Sequence, residues 1–222
     1  MATEQTLKEK NTLSLALVIF INLILYYLLS TSGLIDAKKI IDNLNEWQKL
    51  VPSTALIVFS LIINGIIGAT NKSRLVFLKW NNTLPGCEAF SKHAMEDERI
   101  DTENLKKLIV KIPQTAREEN ACWYKIYRSL KNEIEINKAH QYYLFARDYT
   151  AISFLFIIFL GTTSFYLFLS PKVALYYIAI LIIQFVLARN AAKNYGIRLV
   201  TTTLSIYALK NQKLTSGEED GS

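Results

Sequence analysis

Four blocks of apolar residues constrain the fold of this chain more than any other feature, because none of them has a charged residue in its interior. They are Thr12–Ser30, Ser53–Thr70, Tyr149–Leu169 and Val173–Ala188. Each is near the ~20 residues that a helix needs to cross the hydrocarbon core of a bilayer. The sequence therefore predicts an all-α membrane protein with four transmembrane helices in a 2+2 arrangement. A small, mostly helical cytoplasmic domain is expected between spans 2 and 3.

The first block has a second interpretation, because Lys8 and Lys10 precede it as they would precede the apolar part of a signal peptide. The block is longer than a typical signal-peptide core, and no convincing A-x-A cleavage site follows it. We therefore expect an uncleaved anchor.

The basic residues predict the orientation of the spans, since Lys and Arg in short flanking regions stay on the cytoplasmic side. The region between spans 2 and 3 carries fourteen of them, the tail after span 4 carries five, and the connection between spans 3 and 4 carries only Lys172. Both termini and the central region of a multi-pass membrane protein are thus expected in the cytoplasm. The net charge of +6 suits a surface that faces anionic lipid, so no nucleic acid is expected as a partner.

The expected organisation has five parts. These are a cytoplasmic tail over residues 1–11, spans 1 and 2 over 12–70 with an external amphipathic loop at 31–52, a cytoplasmic domain at 71–148, spans 3 and 4 over 149–188, and a cytoplasmic helix with a disordered acidic tail at 189–222. A short helix near Asp101–Lys111, started by an Asp or Thr cap, is expected inside the central domain.

A stretch without Gly or Pro, from Gln114 to Leu160, predicts one long helix that enters span 3, with a bend as the alternative. Cys122, Ile126, Leu130 and Ile134 recur at every fourth residue of it, which is typical of a helix with an apolar face.

The segment "LPGCEAFSKHAME" contains one of the two cysteines and one of the two histidines of the chain. Cys87, His93, Cys122 and His140 are candidate zinc ligands by residue type, although their spacing matches no compact ligand pair. A thiol nucleophile paired with His93 or His140 is the catalytic alternative. Packing of reduced cysteines as small hydrophobes is the interpretation we favour, with no metal, cofactor or catalytic residue. In the same segment, Leu84, Pro85 and Gly86 favour a tight turn, after which Ala89, Phe90 and Met95 are expected to pack under the bilayer or against the long helix.

The remaining candidate residues concern interaction and packing. Trp123, Tyr127 and Arg128 are a candidate binding face, and Arg147 with Asp148 is a candidate coupling pair at the start of span 3. Within or near the spans, small or amide residues are candidates for helix packing or a polar pore lining: Asn22, Asn64, Gly65, Gly68 and Gln184.

The stretches "LKWNNTLPGCEAFSKHAMEDERID" and "EENACWYKIYRSLKNEIEINKAHQYYLFARDYTAI" resemble a loosely defined group of uncharacterised bacterial proteins with two spans on either side of a central domain. This layout is similar to that of four-span membrane effectors of antiphage defence systems. The resemblance implies a homo-oligomeric, non-enzymatic effector in the lipid bilayer of the bacterial inner membrane, with a cytosolic protein partner or a small-molecule signal. A membrane scaffold that recruits a cytosolic enzyme, or a Cys/His-dependent membrane enzyme, are the alternatives.

Overall fold

The computed structural model describes residues 7–32, 58, 61–62, 64–109 and 112–217. Within these ranges the chain is all-helical and has no strand. Three helical segments are long and apolar enough to cross a membrane, and they cover Lys10–Thr31, Ile134–Leu167 and Pro171–Gln212. The all-α prediction is confirmed, and three of the four predicted spans coincide with these segments. The external loop, beyond its first two residues, lies outside the described residues.

Helix α1 (Leu7–Ser32) contains the first predicted span and begins five residues earlier than the predicted start at Thr12. The run has no Gly or Pro, so nothing in it interrupts the hydrogen bonding of the helix. At its end the hydroxyls of Ser30 and Thr31 donate to the carbonyl of Tyr27 at 2.7 and 3.0 Å.

Helix α2 (Ala69–Phe77) follows the second predicted span, Ser53–Thr70, most of which lies outside the described residues. The described residues 61–62 and 64–66 of that span are helical, and the helix is interrupted at Ile67 and Gly68. The chain therefore starts a separate helix at Ala69, where the apolar block gives way to a polar sequence.

The segment after α2 contains short helical turns. A 3-10 turn (Pro85–Glu88) and a π turn (Ala89–His93) lead into α3 (Ala94–Glu96) and α4 (Thr102–Leu108). The predicted Asp cap of α4 is confirmed, since Asp101 accepts hydrogen bonds from the amides of Glu103 and Asn104 at 3.1 and 3.0 Å. The helix ends at Leu108, before the predicted end at Lys111.

The prediction of one long helix from Gln114 is wrong. Helix α5 (Ala116–Leu130) ends before a turn at 131–133, and α6 (Ile134–Phe156) begins after it. The Tyr127 hydroxyl lies 2.8 Å from Nδ1 of His140, although thirteen residues of continuous helix would separate them by about 20 Å. The chain reverses because Leu130 and Ile136 pack into the same core, and this tertiary gain does not require a Gly or Pro at the turn.

The third span ends slightly earlier than predicted, and the helix of the fourth span is much longer than predicted. Helix α6 continues through a π turn (Ile157–Gly161) into α7 (Thr162–Leu167), which ends two residues before the predicted end at Leu169. Helix α8 (Pro171–Gly217) has 47 residues, a length of about 70 Å, and so extends far beyond the predicted end of span 4 at Ala188. Pro171 fits the first turn because a proline there loses no helical hydrogen bond. The expected disordered tail lies outside the described residues after Gly217.

The helices form two compact units. The first contains residues up to Val76 and Leu144–Ala191, and the second contains Phe77–Tyr143 and the chain from Ala192 onward. The core of the first includes Ile19, Ile152 and Tyr177. The core of the second includes Trp123, Ile136 and Leu204. Both α6 and α8 contribute residues to each unit, and the second half of α8 shares a core with the buried face of α5.

Candidate functional site

Three charged side chains are buried together in the first unit. Asp148 accepts from Lys72 Nζ at 3.1 Å and from Arg147 at 3.0 and 3.1 Å, and all three residues are at most 7% exposed. Buried charges are tolerated only when they are paired, so these contacts hold α2 against α6. Lys72 was not singled out from the sequence. The predicted pair Arg147–Asp148 therefore has a third member, provided by the helix that follows the second apolar block.

The "LPGC" segment is packed against α5 in the second unit. A Cβ on Gly86 would lie 2.6 Å from both Asn120 Oδ1 and Trp123 Cε3, so only a glycine fits there. Ala89 is fully buried in the same core as Trp123. Met95, by contrast, is 64% exposed and does not pack in this core, so of its two expected positions only the one under the bilayer stays a prediction. The segment forms a close-packed loop.

Glu119 on α5 fixes this loop from the opposite side. Its Oε2 accepts the amides of Phe90 and Ser91 at 2.8 and 3.0 Å, while the residue is 6% exposed. The carboxylate thereby satisfies two amides at the start of the π turn, as a helix cap would. The sequence offered no signal for this role, because Glu119 lies 28 and 29 positions from its partners.

The four candidate metal ligands are not brought together. In the parts of the chain that the structure describes, no three His, Cys, Asp or Glu side chains form a group that could hold a metal ion. Cys87 is buried, Cys122 is half-buried, and His140 contacts Tyr127. The sequence-based zinc alternative therefore has no geometry to support it.

The thiols are also poorly suited to nucleophilic attack. Burial raises the pKa of both Cys87 and Cys122, and the reactive form of a cysteine is the thiolate. Burial lowers the pKa of His93, whose Nδ1 has no hydrogen-bond partner among the described residues. These features agree with thiols that pack as small hydrophobes.

An open cleft of about 640 Å³ lies between the turn at 97–99 and α8 in the second unit. Hydrogen bonds from the Arg99 guanidinium hold the pKa of Asp97 well below its usual range. The same guanidinium donates to Thr201 Oγ1 at 3.1 Å, which ties the turn to α8. Arg198 and His93 also line the cleft. The cleft presents charges of both signs, so it has no clear preference for anions or cations.

The candidate binding face does not form a single surface. Trp123 is 7% exposed and stacks on the half-buried Tyr127 at a ring distance of 5.5 Å, whereas Arg128 is exposed. Residues 123 and 127 lie on the core side of α5, because positions four apart share one face of a helix. Trp123 and Tyr127 therefore pack toward the core, whereas Tyr124 and Arg128 face solvent, and an interaction role for Arg128 stays a prediction.

The polar residues of the spans have different environments. Gln184 donates to the Tyr149 hydroxyl at 2.6 Å and so links α8 to α6. Asn22 donates to the Val18 carbonyl of its own helix at 2.8 Å. Asn64 is buried, and its Oδ1 has no partner in the described part of the chain. Among the described residues, a Cβ on Gly65 or Gly68 would meet nothing within 4 Å, so their predicted role in helix packing stays a prediction.

Comparison with known proteins identifies no relative. No protein-family model, no curated protein and no solved structure matches the chain.

Proposed function

We propose that this chain is a bacterial inner-membrane effector or sensor, in the antiphage setting that the resemblance implies. Its second unit receives a signal or partner in the cytoplasm, and four membrane spans in a 2+2 arrangement respond by perturbing the membrane as a homo-oligomer. Both termini are cytoplasmic in this proposal. The excess of basic residues in the central region and in the C-terminal tail supports that orientation.

One observation carries the proposal: α6 and α8 each contribute side chains to the cores of both units. Helix α6 provides Ile136 to one core and Ile152 to the other, and α8 provides Leu204 and Tyr177 in the same way. A shift of a continuous helix at one end is felt at its other end, provided that a ligand favours one of two packed states. The turn at 131–133 leaves this route intact, since it precedes α6.

Residues on these two helices would pass the signal into the membrane. The Tyr149–Gln184 hydrogen bond joins the helices within the apolar segments, and Asp148 joins α6 to α2. A rotation of α6 would change both contacts. These contacts support the assignment of Arg147, Asp148 and Gln184 to coupling, with lipid and other copies of the chain as the partners on the outer faces.

The experiment is the membrane potential of bacteria that express the chain at controlled levels, read with a voltage-sensitive dye before and during phage infection. Ala191→Pro interrupts α8 at the point where the first unit ends, because proline removes a hydrogen bond and kinks a helix. Gln212→Pro is the matched control near the end of the same helix. We expect depolarisation with the wild type and Gln212→Pro, and none with Ala191→Pro at equal expression. An unchanged potential in both conditions with the wild type, or equal depolarisation by all three, would refute the proposal.

A further inference from the structure

A second, smaller cavity in the second unit lies between the π turn, α3, α4 and α5, and it is partly open to solvent. Its volume is about 230 Å³, and its walls include Phe90, Ala94, Leu105 and Ile109. Leu105 and Ala94 are almost completely buried, so the cavity continues the apolar core. Ligand sites are commonly of this kind, with apolar walls and a few polar groups that converge on them.

The polar group that distinguishes this cavity is the carboxylate of Glu119. The two amide hydrogen bonds described above use Oε2 alone. Among the described residues no donor to Oε1 and no ion pair with the carboxylate is found, and Oε1 is not one of the fully enclosed polar atoms without a partner, so it is open to solvent. Stabilising the loop therefore accounts for only one oxygen of a buried acid that lines an apolar cavity.

The groups beside Glu119 do not neutralise it. Lys106 also lines the cavity, but it is exposed, and a lysine of this kind keeps its ammonium in water while its aliphatic part covers the wall. Ser91 and Thr102 add neutral hydroxyls. A buried carboxylate is most stable when it meets a cationic donor, because a charge-assisted hydrogen bond is about twice as strong as a neutral one.

We propose that this cavity binds a compact ligand with an apolar body and a primary ammonium group, which donates to Oε1 of Glu119. The cavity is smaller than the ~300 Å³ at which sites for drug-sized molecules begin, so the ligand is about as large as one ring with a short chain. The further claim that this ligand is the signal received by the second unit rests on the proposed function. The binding of the ligand to the cavity does not depend on that function and can be measured separately.

The test is fluorine NMR on the purified full chain in detergent, with 4-fluorobenzylamine and 4-fluorobenzyl alcohol as probes. The two share an apolar ring, and only the amine is cationic at neutral pH. We expect saturable binding at one site per chain, with the amine at least tenfold tighter than the alcohol. The absence of saturable binding, or equal affinity for the two probes, would overturn the inference.

Two variants locate the site. Glu119→Gln keeps an acceptor oxygen for Phe90 and Ser91 but removes the charge, so the tenfold preference for the amine should disappear. Glu103→Gln is the charge-matched control on α4, outside the cavity lining, and should bind as the wild type does. If Glu119→Gln does not fold, Ala94→Leu is used instead. This substitution fills the cavity and leaves the carboxylate in place, so binding of the amine should be lost. An amine preference that survives in the folded variant would refute the site.

Failure of this inference is distinguishable from failure of the proposed function. Binding is read on the purified chain, whereas depolarisation is read in cells. A chain that binds the amine through Glu119 but never changes the membrane potential refutes the proposed function alone. A chain that depolarises the membrane but does not bind the amine refutes this inference alone.

Discussion

The two units place their large apolar side chains differently. In the first unit many of them face outward, such as Leu13, Tyr166 and Leu187, which are 71%, 87% and 65% exposed. In the second unit most gather in one core around Trp123. Exceptions among its described residues include Leu78, Trp80, Met95 and Ile134, which are exposed. The first arrangement is compatible with a surface that faces lipid, whereas the second is stabilised by removing apolar surface from water.

The two units also differ in how their buried charges are stabilised. The first unit buries three ions that neutralise one another in part, and the second buries one carboxylate that accepts two backbone amides. Side chains linked in this way fix how helices meet, because they lose much of their stabilisation when a partner moves. The predictions below change one contact at a time, in one unit or the other.

The largest effect is expected from Asp148→Asn in the first unit. The substitution leaves Lys72 and Arg147 buried without the carboxylate that they share, and removal of one member of a buried ion pair costs about 3–5 kcal/mol. Thermal unfolding of the purified protein, with expression level as a second readout, measures it. Glu133→Gln is the control, because its ion pair with Lys210 is 2.5 Å long but exposed and should contribute at most about 1 kcal/mol. Equal effects of the two substitutions would contradict the burial of Asp148.

A smaller effect is expected from Gly86→Ala in the second unit. The added methyl group would overlap the side chains of Asn120 and Trp123, and overpacking of a core costs about 1–3 kcal/mol. Gly68→Ala in the first unit is the matched control, since no atom of the described residues lies within 4 Å of a Cβ built there. Thermal melting followed by tryptophan fluorescence should separate the two. A neutral Gly86→Ala would mean that the loop does not pack against α5 in this way.

A pH effect is expected from His93. Burial lowers the pKa of its imidazole below the ordinary value of about 6.5, so the unfolded chain binds a proton more readily than the folded one. Stability should therefore fall as the pH decreases from 6.5 to 5. Asp97 contributes little in this range, because its pKa is lowered and its stabilising effect is lost only in stronger acid. His93→Gln should flatten the fall in melting temperature between pH 7 and 5, and an unchanged slope would place His93 in solvent.

The smallest effect is expected from Gln184→Leu. The Tyr149 hydroxyl loses one hydrogen bond, and such bonds between membrane helices contribute about 0.6 kcal/mol on average. Asn22→Leu is the control for a bond within one helix. Melting of the detergent-purified variants measures the cost. The same variant, together with Asn64→Leu, should also be read for membrane potential, where a lost depolarisation with retained stability would favour a polar pore lining.

Local sequence patterns predicted the features that depend on interactions between residues close together in the sequence. Long apolar blocks predicted membrane-spanning helices because the thickness of a bilayer fixes their length. Asp101 predicted the start of α4 because a cap acts over two or three residues. Both features are governed by neighbours in the sequence.

The features that were missed depend on distant partners. Lys72 and Asp148 are 76 positions apart, and Arg99 and Thr201 are 102 apart. The turn at 131–133 contains neither Gly nor Pro, so the reversal of the chain appears only once Tyr127 and His140 are seen together. The sequence did contain one signal that α8 contributes to the core of the second unit. Leu199, Val200 and Leu204 lie on one side of a helix that continues after the apolar block.

Hydrogen exchange measured by mass spectrometry, on the full chain in lipid nanodiscs, tests most directly whether the units share continuous helices. The informative amides are those at 141–147 in α6 and 188–195 in α8, where each helix passes from one unit to the other. Shared helices predict that both windows exchange as slowly as the helical turns on either side, because local opening there would break the hydrogen bonding of the whole segment. A fast-exchanging window in either helix would show a hinge and contradict coupling through that helix.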